Sequence, residues 1–389
     1  MRWFGRKGGA AARPALVRAM AGLATGPVSG WGSAGGPADG GPRSYEVQVR
    51  EAYLANPVAQ RAVRLVAEGV AGVPVYAVPD GHPAAALLGA SGTGRALIET
   101  IAAQLLLHGN AYVQIVCDAG GAPVELYPLR PERVSVEPDA QGWPAAWLYR
   151  AGERTTRLPV TDGLGKPALV HLRGYHPLDD HYGLGCLGAA YGSVAIHNAA
   201  TRWNKALLDN AARPSGALVY DPGEPGAALS GDQFDRLKAE MEASFSGSAN
   251  AGRPMLLEGG LKWQAIGLTP ADMDFVGLKA AAAREIALAF GVPPMLMGLP
   301  GDNSYANYSE ANRALWRLGI VPLAEKIVGG ITPALRAWWP ELELKLDLDA
   351  IPALASDRER LWSMAAGADF LSEDEKREML GFPPGGEGR

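Results

Sequence analysis

The chain has 389 residues, 48% of them apolar and 20% charged, with a formal net charge of −5 at pH 7. That length suits two or three domains with a sizeable core, and the composition excludes general disorder. The acidic balance excludes a general nucleic-acid binder, which carries a basic surface, so any contact with DNA is local or weak. Two cysteines, Cys117 and Cys186, do not make a disulfide framework and read as buried small hydrophobes of a reducing cytoplasm.

The chain opens with Arg2, Arg6, Lys7, Arg13 and Arg18 before its first acid, Asp39. Arg18 interrupts the only candidate apolar region there, and no uninterrupted run of about eighteen apolar residues occurs anywhere. Neither a signal peptide nor a membrane span is expected. From Gly22 to Pro42 the chain is mostly Gly, Pro, Ala and Ser, so residues 1–43 read as a flexible basic arm.

Order begins near Tyr45. After Asn56 and Pro57, the residues Val58, Ala62, Leu65, Val66 and Val70 trace a helical stripe that leads through Gly72 and Pro74 into a short strand. A second helix through Ile98, Ile101, Leu105 and Leu106 ends at His108-Gly109-Asn110, and the strand AYVQIV follows. VELYPLRPERVSVEP, AAWLYRAG and ALVHLRGY then read as short strands punctuated by Pro and Gly. The order predicts an α+β region rather than regular βαβ winding.

Gly183, Gly185 and Gly188 form a G-x-G-x-x-G between a strand and a helix, the arrangement that lets a backbone approach a pyrophosphate. A dinucleotide site needs those glycines directly after the strand, but residues 174–182 intervene, and flanking βαβ repeats are missing. Asp209, about twenty residues on, falls inside a continuing helical pattern. The glycines therefore read as a helix-start turn. In the same loop His171, His176, Asp179, Asp180 and His181 are of metal-ligand type, yet their spacing matches no i, i+4 pair and Pro177 breaks the segment, so a polar surface loop is expected. No nucleophile elbow, phosphate-loop lysine or CxxC is present. No cofactor and no metal are expected.

One long helical pattern runs from Cys186 to Ala212 and is ended by Arg213-Pro214. Tyr191, Val194, Asn198, Trp203 and Leu207 lie scattered around it, and its many Gly and Ala suit close packing on both sides. GALVYD, RPMLLE and LKWQAIG then read as strands around a helix, SGDQFDRLKAEMEASFSG, with Ser230 as N-cap and Phe234, Leu237, Met241 and Phe245 as its buried stripe. The insert from Ser215 to Gly267 is small for an independent fold, so packing between copies is expected to stabilise it. In DFVGLKAAAAREIALAF the residues Phe275, Leu278, Ala282, Ile286 and Ala289 form an apolar helix face, stopped by Gly291, Pro293 and Pro294. GLPGDNSYANY, from Gly298 to Tyr308, carries Asp302 as its only formal charge and reads as an exposed loop. From Ser309 a longer helix follows, with Leu315, Leu318, Ile327 and Ile331 on its apolar side and a kink at Pro322. Gly329-Gly330 and Pro333 are expected to loosen the chain. ELELKLDLDA alternates as a half-buried strand, DRERLWSMAAGADF is a helix, and Ser372 with Glu375 starts a last short helix with a capping box.

The runs EIALAFGVPPMLMG and SYANYSEANRALW, followed by a helix with an internal proline, resemble the portal-protein family of tailed bacteriophages, including portals of phage-derived gene transfer agents. The GNAYV strand, YPLRPERVSV and the GLGCL turn agree, so the resemblance covers roughly residues 45–385. It implies an α+β portal fold, with residues 44–185 as the first part of the wing and 186–212 and 268–292 as the two stem helices. Residues 213–267 would be a small α/β clip, 293–308 a tunnel loop, 309–350 the long kinked helix with a wing strand, and 351–389 a reduced helical crown.

The resemblance further implies a homo-oligomeric, twelve-fold ring at one capsid vertex that conducts double-stranded DNA in packaging and ejection. Its implied partners are DNA held non-specifically and transiently, the major capsid protein, the terminase large subunit and a head–tail adaptor, with no membrane. Because duplex DNA carries one charge per about 1.7 Å and binds clustered Lys and Arg by counterion release, a neutral tunnel loop avoids braking it. Asp302, Asn303, Ser304, Tyr305, Asn307 and Tyr308 are the implied channel residues. Arg202, Lys205, Lys279 and Arg284 belong to the stem, where they face the lumen or pair with Asp209, Asp274 and Glu285 of an adjacent copy. Inter-copy pairing fits the overall acidity better. Phe234, Leu237, Met241 and Arg253 belong to the clip interface. A portal would have no ATPase activity, the energy coming from a separate terminase. The rival readings are a nucleotide-binding enzyme using the Gly183 turn and a cytoplasmic adaptor that touches no DNA.

Overall fold

The computed structural model of the chain describes residues 44–89, 97–209, 216–220, 230–245, 261–265, 274–299 and 305–380. The basic arm at 1–43, the RPMLLE strand at 253–258 and the Gly/Pro-rich end at 381–389 lie outside them.

Asn56 starts the first long helix much as its position before a proline suggests. Its side-chain oxygen accepts Val58 N and Ala59 N, both at 3.0 Å, and Pro57, whose missing N–H costs nothing there, opens α2 (Pro57–Ala71). Ahead of it lie the short α1 (Tyr45–Val49) and a π turn at Arg50–Leu54. The chain continues through β1 (Val75–Val78), a short α3 (Ala84–Gly89) that the sequence pattern does not announce, and α4 (Leu97–His108). Next come β2 (Asn110–Cys117), β3 (Pro123–Leu129), β4 (Val134–Pro138), β5 (Pro144–Ala151), β6 (Arg154–Pro159) and β7 (Leu169–Arg173). Then follow α5 (Leu187–Asp209), β8 (Gly216–Tyr220), α6 (Gly231–Phe245), β9 (Leu261–Ala265) and α7 (Phe275–Ala289). The chain closes with α8 (Tyr305–Leu315), α9 (Val321–Leu335), β10 (Glu343–Leu346), α10 (Ala355–Ala366) and α11 (Glu373–Met379).

All strand pairs among the described residues are antiparallel, so the fold is α+β and has none of the parallel winding of a dinucleotide domain. Two three-stranded sheets, β3-β2-β7 and β4-β5-β6, enclose a small core of Tyr112, Leu129, Val134, Trp147 and Leu169. The strand expected at ELELKLDLDA is β10, and it pairs with the distant β1, Val75 opposite Leu346 and Val78 opposite Glu343. Leu344 turns inward between exposed Glu343 and Lys345, as the alternation requires.

The main core joins α2, α4 and α9 with the inner sides of β1, β2 and β10. Ile327, Ile331 and Leu335 are fully buried, each contributing about 1.5–3 kcal/mol of transfer free energy. The run Asn307–Leu335 has the length and hydropathy of a membrane span, but in the fold its apolar side is this core.

The long helical run departs from expectation in three ways. A π turn at Trp316–Ile320 precedes Pro322, with Val321 N bonded to Trp316 O. Pro322 sits in the first turn of α9, where its missing N–H costs least. The inserted residue also rotates the stripe, leaving Leu318 72% exposed while Leu315 and Ile320 are buried. Gly329, Gly330 and Pro333 continue α9 instead of loosening it. At Gly330 a Cβ would meet Leu172 Cδ2 at 2.1 Å, so glycine here serves close packing of α9 on β7.

Two further expectations are corrected. Leu278 is exposed, and the buried face of α7 is instead Ala282, Ala283, Ile286 and Ala287. Cys117 is exposed and Cys186 half-buried. Cys117 ends β2 at a register shift where the hairpin loosens, and partial burial pushes both thiols above their ordinary range.

Candidate channel and interface sites

Asp274 opens α7 from a left-handed backbone conformation, φ 39°, and its carboxylate accepts Gly277 N at 3.1 Å. A carboxylate at a helix N-terminus is favoured by the exposed N–H groups and the helix dipole. The helix ends at Gly291, φ +69°, and a 3₁₀ turn at Pro294–Met297 leads to Gly298, φ +72°. The loop that follows is shorter than its composition suggests, because α8 begins at Tyr305 and not at Ser309. Tyr305, Asn307 and Tyr308 are therefore in the first turns of a helix; Asn307 is exposed and Tyr308 is 51% exposed. Asp302, Asn303 and Ser304 lie outside the described residues.

Helices α5 and α7 run side by side, with Trp203 stacked on Phe275 at 6.0 Å between centroids and Ser193 Oγ donating to Glu285 Oε2 at 2.5 Å. Arg202 and Arg284 are exposed, and Lys279 is half-buried. Lys205 pairs with Asp209 of its own helix at 2.6 Å. Asp209, Asp274 and Glu285, the acids expected to meet an adjacent copy, thus all have partners within one chain. The Lys205–Asp209 pair is exposed on both sides, so its contribution is small, about 0.3–0.5 kcal/mol.

Beyond the far end of α5, β8 pairs with β9, Gly216 opposite Ala265 and Tyr220 opposite Leu261. Ser230 caps α6, accepting Gln233 N at 3.3 Å while Gln233 Oε1 accepts Ser230 N at 2.9 Å; this is a capping box with glutamine in place of glutamate. Phe234, expected on the buried stripe, is 58% exposed in the single chain, and Leu237 is half-buried. The Met241 side chain and Arg253 lie outside what is described.

The glycine turn is a packing device. A Cβ at Gly183 would lie 2.1 Å from Gly109 O and 2.4 Å from Gly174 N, and one at Gly185 would lie 2.7 Å from Leu107 O. Three backbone segments cross there with no space for a phosphate. Asn110 clamps the crossing: Gly183 N donates to its Oδ1 at 2.7 Å and its Nδ2 donates to Gly183 O at 3.1 Å. The same Oδ1 accepts His171 Nε2 at 3.0 Å, which fixes the His171 tautomer. Burial, with Arg173 nearby, pushes His171 down to about 3, and burial takes His108 down to about 4.

The other loop residues of metal-ligand type also have local roles. His176 Nδ1 accepts Leu178 N, Asp179 Oδ1 accepts His181 N and Tyr182 N, and the Asp180 carbonyl accepts from Arg173. Among the described residues no three His, Cys, Asp or Glu side chains are placed to hold a metal. Sequence reasoning placed Asn56 at the start of α2 but missed the clamping role of Asn110 and the pairing of His197 with Asn56.

The fold thus offers no reaction centre among the described residues, but a helix pair, α5 and α7, leading to and from the β8–α6–β9 insert, and a long helical run from Tyr305 to Leu335. The model of the family described as Phage portal protein matches residues 57–381. The chain belongs to the phage portal protein family. A chain in the virion of a native gene transfer agent particle is 48% identical with TM-score 0.68, covering 88% of this chain and 95% of that one. The neck of a native particle of this kind, computed with C12 symmetry, holds a chain 46% identical with TM-score 0.68 and the same two coverages. A Rickettsia felis protein is 39% identical over 346 residues, 86% of this chain and 88% of its own length. As a portal-family chain the protein is a structural component of a phage-type particle, and its place is the portal vertex. The nucleotide-enzyme reading of the Gly183 turn has no support in the family or in the geometry.

Proposed function

We propose that the chain assembles into a twelve-membered ring whose axial channel conducts double-stranded DNA during packaging and ejection. The observation that carries this reading is the likeness, at 46% identity over 88% of the chain, to a neck computed with C12 symmetry. Higher identity to gene-transfer-agent chains than the 24% shared with the portal protein of Enterobacteria phage HK97 favours a particle of the former type. In this reading α5 and α7 are the stem, β8, α6 and β9 belong to the clip, residues 293–308 are the tunnel loop, and α10 and α11 belong to the crown.

The loop, which carries no basic residue and has Asp302 as its only formal charge, meets the duplex through Asn303, Ser304, Tyr305, Asn307 and Tyr308 sterically and by weak hydrogen bonds. A lysine there would repeat around the ring as a basic belt and slow the duplex by counterion binding. Arg202, Lys205, Lys279 and Arg284 set the charge of the stem. Phe234 and Leu237, exposed or half-buried in the single chain, are anchors of the clip for neighbouring copies, the terminase and the head–tail adaptor, while the wing meets the major capsid protein. The ring itself hydrolyses no ATP. Particle mass by light scattering and rotational symmetry in averaged electron micrographs test the reading: rings of about a dozen copies with an axial hole support it, and a closed dimer overturns it. Ser304→Lys then tests the loop, with reduced packaged DNA expected and unchanged yield refuting its role.

A further inference from the structure

The first half of α5 is tied to the α1–α2 corner by a polar network centred on two buried side chains, Asn56 and His197. Asn56 is 1% exposed and His197 5%. Asn56 Nδ2 lies 3.1 Å from His197 Nδ1 and donates to Asn198 Oδ1 at 2.9 Å. Asn198 Nδ2 donates to the Glu51 carbonyl at 3.0 Å, and Tyr191 OH to the Glu51 carboxylate at 2.5 Å.

The chemistry of Asn56 dictates that of His197. Both α2 N–H groups at Val58 and Ala59 point at Asn56 Oδ1, so the carboxamide cannot turn over without setting donors against donors. Its nitrogen therefore faces His197, and Nδ1 of that ring must accept, with the neutral ring's proton on Nε2. A protonated His197 would present a second donor to Asn56, breaking the contact and leaving buried groups unpaired.

The charged groups around the ring oppose protonation or are engaged elsewhere. Lys279 on α7 faces it, Glu51 on the π turn is taken by Tyr191, Glu285 on α7 by Ser193, and α2 presents the neutral Asn56. We propose that Asn56, His197 and Asn198 form a proton-sensitive latch that holds α5 to the α1–α2 corner at neutral pH and releases it on acidification. α5 leads on to the β8–α6–β9 insert, so release of the latch frees the helix that carries the insert. Burial first and Lys279 second lower the His197 pKa. For a histidine depressed on folding, the stabilisation is complete above the unfolded value of about 6.5 and declines as pH falls below it. The latch belongs to one subunit and stands independently of the ring.

The test is hydrogen–deuterium exchange of the full chain at about pH 7.5 and about pH 5, corrected for chemical exchange, in wild type and His197→Asn. Asparagine keeps an acceptor where Nδ1 stood and does not titrate. Protection of residues 187–203 should fall further in the wild type than in His197→Asn, because the variant lacks only the His197 contribution and keeps that of His108 and His171. Equal falls in both proteins overturn the latch. Should His197→Asn fail to fold, NMR titration of wild-type His197, assigned in ¹³C-histidine-labelled protein, decides: a midpoint below about 6.5 supports the proposal, and one at or above it overturns the proposal.

Discussion

Gly183→Ala separates a glycine needed for packing from one needed for a phosphate. The new Cβ would sit 2.1 Å from Gly109 O and 2.4 Å from Gly174 N, on top of the 2.7 Å hydrogen bond between those two residues. Ordinary contact needs 3.4 Å or more, and all the neighbours are backbone, which has no rotamer to change. Overpacking of this kind costs about 1–3 kcal/mol. Opening the crossing also breaks the Gly174–Gly109 bond and the two Asn110–Gly183 bonds, each about 0.5–1.5 kcal/mol. A loss of about 5 kcal/mol is expected, or about 10 °C in Tm at roughly 2 °C per kcal/mol for a chain of this size. Gly192→Ala is the control. Nothing lies within 4 Å of its Cβ, and in a helix interior alanine gains about 1 kcal/mol over glycine. Calorimetry of the full-length variants measures both. If Gly183→Ala unfolds within about 1 kcal/mol of wild type, the crossing is not the reason for glycine. A rise in wild-type Tm on adding NAD would revive the pyrophosphate reading, since a ligand at a hundred times its Kd adds about 2.7 kcal/mol.

Ile331→Ala, at a fully buried site in α9, should cost about 2–5 kcal/mol in denaturant unfolding. Gly330→Ala forces a Cβ onto Leu172 and should cost about 1–3 kcal/mol by the same measurement, less than Gly183→Ala because a leucine methyl can shift. Arg313, 18% exposed, joins α8 to the start of α10 through Asp357 Oδ1 at 3.0 Å and Ser356 Oγ at 3.3 Å. Arg313→Ala should cost about 1 kcal/mol or less and raise hydrogen exchange in α10 before anywhere else. Stability should fall with acidification below about pH 6.5 and keep falling toward pH 4, because His108 and His171 are held neutral at about 4 and about 3 in the fold and take up protons first when unfolded. A Tm that stays flat from pH 7 to pH 4 would refute their buried neutral state.

The sequence by itself determined the elements whose signals are local. Asn56-Pro57 started α2, Ser372 with Glu375 capped α11 with both bonds of the box present, and the alternation of ELELKLDLDA made β10. Gly291 with its two following prolines ended α7, as the chemistry of φ and a missing N–H requires. The same stretch, with its neutral loop and the helix beyond, was enough to indicate the family.

Only the tertiary structure decided the rest. A π turn ahead of Pro322 is not written in any local signal, and Leu318 lies outside while Leu315 and Ile320 are buried. Gly183, Gly185 and Gly330 are glycines because other segments arrive against them, and no window of sequence contains Gly109, Gly174 and Leu172 together. The partner of Glu285, Ser193 on another helix, the exposure of Phe234 and Cys117, and the meeting of Asn56 with His197 across 141 positions are likewise set by packing. Caps, breakers and periodicity act within a few residues; burial and pairing depend on what the rest of the chain brings alongside.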